Sequence, residues 1–147
     1  MPLGIRRALE ADMILLASMN KHLIEDEGSQ NPMNLKELED RMRNWYHADW
    51  NIDILHIDDK VVGYTVYQYR EQAYDQNQRD IYIRQYFIQR EYRKQGYGQQ
   101  GINLLREKRF EEIKTIIIEV LNSNSNGMRF WSKMGFQAYS TTMKLYQ

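Results

Sequence analysis

Apolar residues recur along this chain with two different periods, and each change of period marks an element. Met13, Leu16, Met19, Leu23 and Ile24 stand at helical spacing, which predicts a first helix over residues 12–25. Glu25-Asp26-Glu27-Gly28 then ends it, and Asn31-Pro32 carries on as loop. Asn34 followed by Glu37 is a capping pair for a second helix over residues 35–47, with Leu38, Met42 and Trp45 turned inward. Residues 52–57 and 61–69 alternate in the manner of strands around Asp58-Asp59-Lys60, so they read as a hairpin. Residues 3–9 are a short strand candidate. Residues 81–88 carry apolar side chains on both faces, as a central, covered strand does. The polar stretch 71–79 joins it to the hairpin. Further on, residues 115–121 predict a strand, 128–134 a short helix closed by Gly135, and 136–146 one or two final strands.

Chemistry gathers just after the central strand. Arg90, Arg93 and Lys94 lead into Gly96-Tyr97-Gly98, and residues 99–112 have helical apolar spacing at Ile102 and Leu105. Strand, basic glycine turn and helix together make an anion site. Glycines let backbone approach a ligand, and unpaired N–H groups at a helix start point at phosphate oxygens. The plain alternative is an ordinary tight turn with solvated bases. Gly96, Gly98 and Gly101 also fit G-x-G-x-x-G, with Glu119 further on. A dinucleotide fold is disfavoured, because a polar linker intervenes and residues 101–147 are too few to complete a doubly wound sheet.

Composition narrows the field. The 147 residues suit one domain, 1–147, with a real hydrophobic core. Twenty basic and 20 acidic residues cancel, so no global field points to nucleic acid. No run approaches the ~18 apolar residues of a membrane span. Residues 1–7 lack the apolar core of a signal peptide. Cysteine is absent, which removes disulfides, a thiol nucleophile and thiolate metal sites. His22, His47 and His56 show no metal-ligand spacing. A cytoplasmic protein without metal or membrane partner is expected.

Arg93-Lys94-Gln95-Gly96-Tyr97-Gly98 resembles the [Q/R]-x-x-G-x-[G/A] loop of the GNAT superfamily of acyl-CoA-dependent N-acetyltransferases. Glu119-Val120-Leu121-Asn122-Ser123-Asn124, then Gly127, Phe130-Trp131 and Gly135-Phe136, is similar to that family's C-terminal motif. The resemblance spans essentially the whole chain. It implies an α/β fold with a mixed, mostly antiparallel sheet of about six to seven strands, splayed at its central strand and flanked by about four helices.

The resemblance also implies site roles. Acetyl-CoA would be the co-substrate. The backbone of Tyr86, Phe87 and Ile88 would hold pantetheine, while Lys94, Gln95, Gly96, Tyr97, Gly98 and Gln99 would wrap the pyrophosphate, supported by Arg93. Asn124 would lie beside the cofactor arm; it is equally placed to cap a helix. Glu119 matches a strand carboxylate used as general base, against the alternative of a solvated charge. Trp131 stands where the family's usual tyrosine acid would be, and indole N–H is no useful acid. Tyr139, Tyr97 or water would have to serve instead. The expected reaction is acetylation of a primary amine on a small molecule or peptide. The alternative is a catalytically weak acyl-CoA sensor of the same fold. A nucleic-acid module built on Arg84, Arg90, Arg93 and Lys94 is the third and weakest class. Glu25, Asp26 and Glu27 would either attract a cationic acceptor or form a solvated helix end, and homodimerisation through the C-terminal strands is left open.

Overall fold

One sheet, with its strands side by side in chain order, runs through the computed structural model, which describes residues 2–147. The strands are β1 (Gly4–Arg7), β2 (Asn51–Ile57), β3 (Lys60–Glu71), β4 (Arg79–Ile88) and β5 (Ile116–Ile118). Neighbours pair antiparallel from β1 to β4, and β4 pairs parallel with β5. Four helices accompany them: α1 (Met13–Glu27), α2 (Leu35–His47), α3 (Tyr97–Lys108) and α4 (Ser125–Lys133). The mixed, mostly antiparallel α/β architecture is the expected one. Met1, the first residue of the stretch read for a signal peptide, lies outside the described residues.

The helical stripe behaves as its spacing requires. Met13, Leu16, Met19, Leu23 and Ile24 are all buried. α1 stops at Gly28, whose φ of 67° is the left-handed conformation that ends helices. At α2, Asn34 accepts from the Glu37 amide at 2.9 Å while Glu37 accepts from the Asn34 amide at 2.9 Å, a reciprocal box that satisfies two otherwise free donors. The apolar faces of α1 and α2 close over Ile52, Ile54, Tyr64, Val66 and Phe87. On a second cluster, Tyr67, Ile81 and Ile83 pack with Ile102 and Leu105 of α3 and with Phe130 and Trp131 of α4. Among the described residues, no helix is long and apolar enough to cross a membrane.

Several expectations need correction. The sheet has five strands rather than six or seven, because residues 136–146 form none. Tyr139, Met143, Leu145 and Tyr146 stand exposed there. β5 is only three residues long, so its outer edge offers a further strand too short a ladder to pair with. β5 itself stops at Ile118 instead of residue 121, since β4 turns away and leaves residues 119–121 without a partner. α3 begins two residues earlier than its apolar spacing implied and ends at Lys108, with Gly96 as its cap. Phe110 is still buried, beyond the helix rather than in it. α4 begins at Ser125 because Asn124 caps it, accepting from the Gly127 amide at 2.9 Å.

One irregularity matters most. Val66 faces Gln85 across β3 and β4, but Tyr67 faces Ile83. Arg84 is therefore the extra residue of a β-bulge, which bends the strand and redirects side chains.

Candidate active site

The bulge divides β4 in two. Residues 81–83 pair with β5 on one side and β3 on the other. Beyond Ile83 the ladder to β5 stops; Arg84 is unpaired, and residues 85–88 pair with β3 alone among the described residues. Their other edge faces no strand, and apart from the Ile88 carbonyl, which accepts from Arg93, it leaves backbone donors and acceptors open, which is how an extended ligand can be held like an added strand. Tyr86, Phe87 and Ile88 all lie on this open stretch. Gly63 faces Ile88, and a Cβ on Gly63 would collide with the Phe87 carbonyl, so glycine there lets β3 and β4 approach closely.

The same end of β4 leads into the glycine turn. A short 3-10 turn over Arg90–Tyr92 is followed by Lys94 and Gly96, at φ of 64° and 83° respectively, and then by α3. The Gly96 carbonyl accepts from the Gln100 amide at 3.0 Å, which leaves the amides of Tyr97, Gly98 and Gln99 at the helix start without intrahelical partners. Tyr86 Oη donates to the Gly98 carbonyl at 2.6 Å and so pins this turn to β4. Burial raises the Tyr86 pKa, keeping that hydroxyl protonated. Gln95 is exposed and reaches only the Glu91 carbonyl, at 3.4 Å.

Arg93 turns away from the helix start. Its Nε donates to the Ile88 carbonyl at 2.8 Å and its Nη2 to Asp26 at 2.6 Å. Arg90 joins Glu25 at 3.1 Å and Asp26 at 2.8 Å. Burial pushes Asp26 up, but hydrogen bonds from Arg90 and Arg93 outweigh it and hold its carboxyl below the usual range. Glu25 and Asp26 are thus spent on a clamp between α1 and the end of β4. Two of the three acids that close α1 therefore have cationic partners within the chain. Glu27 is different: burial first, then Asp26, raises its pKa.

On the other arm, Glu119 lies just past β5, exposed, and accepts a short hydrogen bond from Tyr82 Oη. Burial and Glu119 push the Tyr82 hydroxyl up to about 12, so it remains a donor at neutral pH. Trp131 packs on Tyr86 at 5.7 Å between ring centroids, and on Phe130 and Phe136. Tyr139 is 96% exposed on the unpaired C-terminal segment. Tyr97 packs edge-on against Tyr92 at 6.4 Å.

Residue pattern alone missed the polar group beneath α1 and α2. Asn20 is fully buried, and Arg41 Nη2 donates to its Oδ1 at 3.1 Å. Tyr64 Oη donates to Gln85 at 2.8 Å. The signal was present: Asn20 and Arg41 fall on the inward stripes of their helices, Arg41 between Leu38 and Trp45, where an apolar residue is the norm. Two shallow depressions, of about 390 and 410 Å³, lie at the end of α3 and beside Arg7 and Tyr46. Neither is lined by residues 84–88.

A splayed sheet with an amide-lined turn at its mouth is the arrangement of acyl-CoA-dependent transferases, and comparison with known proteins agrees. The model of the GNAT acetyltransferase family matches residues 17–136. The chain belongs to that family. Among solved structures, a possible acetyltransferase from Clostridium difficile 630 is 20% identical, with 100% of this chain and 98% of that one covered at a TM-score of 0.81. A predicted acetyltransferase from Clostridium acetobutylicum, solved with acetyl-CoA, is 20% identical over 98% and 96%, TM-score 0.74. An aminoglycoside acetyltransferase from an uncultured soil metagenomic sample, in complex with sisomicin, is 17% identical over 99% and 95%, TM-score 0.72. Identities this low carry the fold and nothing finer. No curated protein matches the chain.

Proposed function

We propose that the chain, acting as one domain over residues 1–147, transfers an acetyl group from acetyl-CoA to a primary amine by direct attack. The observation that carries this is a coincidence in space. The edge of β4 opens after Ile83, and the free amides of α3 begin where that strand ends. Acetyl-CoA supplies an acyl carbon already activated as a thioester. The residues suit such a ligand. The backbone of Tyr86, Phe87 and Ile88 would pair with the pantetheine arm. The amides of Tyr97, Gly98 and Gln99, with Lys94, Gln95 and the glycine at position 96, would receive the pyrophosphate. Arg93, held on Asp26, would support that turn from behind rather than touch phosphate. Asn124, already a helix cap, and Trp131, against Tyr86, would flank the arm.

Catalysis asks two things of the protein. An amine attacks only when neutral, so a group must take its proton; Glu119 is the candidate, with Tyr82 holding its carboxylate in place. Developing negative charge on the carbonyl oxygen needs a donor, and a free N–H of the open β4 edge is suited to it. No side chain is assigned to protonate the leaving thiolate, which fits departure to water. The neighbour crystallised with an aminoglycoside makes a small amine acceptor a natural class for this fold.

Thermal unfolding with acetyl-CoA, and separately with NAD, tests the reading. A ligand at a hundredfold excess over its Kd stabilises by about 2.7 kcal/mol. A rise in Tm with acetyl-CoA alone, followed by thiol release with an amine panel, is the expected result. No rise, or a rise with NAD only, overturns it. Binding without release for any amine would favour the sensor reading, for which Trp131 is the motivating residue.

A further inference from the structure

Six of the twelve arginines, Arg6, Arg7, Arg43, Arg90, Arg93 and Arg109, each lie within ion-pair distance of a carboxylate. Among the described residues the other six have no such partner; Arg70, Arg79, Arg84, Arg106 and Arg129 are exposed, and Arg41 is half-buried. Yet the Arg41 and Arg84 guanidinium groups lie over one indole, with Cζ 4.5 Å and 4.9 Å from the Trp45 ring centroid. Arg84 also lies 5.5 Å from the Trp50 ring. Like charges held together on an aromatic platform repel; Arg84 reaches solvent, whereas Arg41 is half-buried. Burial first, and then Arg84, lowers the Arg41 pKa accordingly.

Polar atoms in the same place lack partners. Arg41 Nε and Asn20 Nδ2 are buried and make no hydrogen bond, although the Asn20 side chain is fully enclosed. Buried donors are nearly always satisfied, so an unsatisfied pair beside an uncompensated charge marks a place for an acceptor. Glu119 accepts from Tyr82, and Glu27, which adds to burial in raising the Tyr64 hydroxyl, forms no ion pair with either guanidinium among the described residues. The bulge sets the geometry: it inserts Arg84 as the first residue of the open edge of β4. A group seated on Arg41 and Arg84 is therefore at the entrance to the stretch that would hold the thioester.

We infer that the amine acceptor of this enzyme carries an oxyanion, a carboxylate or a phosphate, held by Arg41 and Arg84 over Trp45. This rests on the acetyltransferase reading above and deepens it by naming the acceptor class. A planar guanidinium fork suits either anion, and indole beneath it limits the approach to one side. Polycationic amines such as aminoglycosides are disfavoured by the same two charges.

The test is a matched panel. Amino acids of increasing chain length, aminoalkyl phosphates, the corresponding amides and the corresponding diamines are each supplied with acetyl-CoA, and thiol release is followed. The charged acids or phosphates should exceed their neutral and cationic partners by about tenfold or more in kcat/KM, as loss of a charged hydrogen bond implies. Whichever anion wins identifies the source. Arg84→Gln should bring that ratio close to one while the acetyl-CoA shift in Tm is retained, and Arg84→Lys should restore part of it. Binding of the same compounds, read from tryptophan fluorescence, gives a second measure that needs no turnover. Amides or diamines turned over as well as the acids, with the ratio unmoved by Arg84→Gln, overturn the inference and leave the acetyltransferase reading intact. Loss of the acetyl-CoA shift in the unaltered protein overturns that reading itself.

Discussion

The two halves of β4 are one strand with two occupations. Residues 79–83 are tied to β3 throughout and, from Ile81, to β5 as well, with Ile81 and Ile83 buried against α3. Residues 84–88 have a neighbour on one side only. The first half holds the fold together, and the second keeps its backbone groups available. Both halves have similar β-branched and aromatic composition, so what separates them is not propensity. It is the single extra residue at Arg84 and the shortness of β5.

That contrast can be broken or sharpened. The largest effect belongs to the closed half. Ile81→Ala should cost about 2–5 kcal/mol in urea unfolding, because the side chain is fully enclosed and its neighbours are strand and helix that cannot collapse freely. A cost under ~1 kcal/mol would mean the inner half is no more rigid than the outer one. The next concerns the open half. Gly98→Val should erase the stabilisation by acetyl-CoA, about 2.7 kcal/mol at a hundredfold excess over Kd, since a branched side chain enters the amide-lined turn. Its Cβ would also come 2.9 Å from the edge of Phe130, so the Tm without ligand should be recorded alongside. An undiminished acetyl-CoA shift would remove the phosphate site from the start of α3.

The smallest effect is electrostatic. Glu27 has its pKa raised in the folded state, by burial and by Asp26. Its contribution is therefore fully present below the unfolded value and lost as pH rises through the folded one. Glu27→Gln cannot ionise and should make the protein more stable than the parent at pH 7, with the two converging below about pH 4. A less stable variant at pH 7 would show that Glu27 is ionised and paired there.

Much of this could be read from residues alone. The spacing of Met13, Leu16, Met19, Leu23 and Ile24 is local, and the helix it predicts needs no distant partner. The Asn34–Glu37 box and the hairpin around Asp58 are local too, and all three formed. The shortfall lies where one element depends on another. Residues 119–121 have strand composition, yet they pair with nothing because β4 bends away, and no property of their own reveals that. Residues 136–146 read as strand and still form none beside a three-residue β5. At the site, the glycine turn was legible because its chemistry is contiguous. The Asn20–Arg41–Arg84 group was not, since its members come from α1, α2 and β4 and meet only in three dimensions. The ion pairs of Glu25 and Asp26 were hidden for the same reason: their partners, Arg90 and Arg93, lie more than sixty positions away.

The bulge has a genetic corollary. A strand alternates its side chains, so a frame of one residue separates two opposite presentations of the same sequence. The bulge has already absorbed that frame, because Ile83 faces Tyr67 and Gln85 faces Val66 with Arg84 unpaired between them. Deleting only the codon for Arg84 would leave both pairings in place as a regular ladder, with Ile81 and Ile83 still on their buried face. In-frame loss at this position should therefore spare the fold and remove the bend together with the cation, whereas exchange of the side chain keeps the bend and alters only what stands on it.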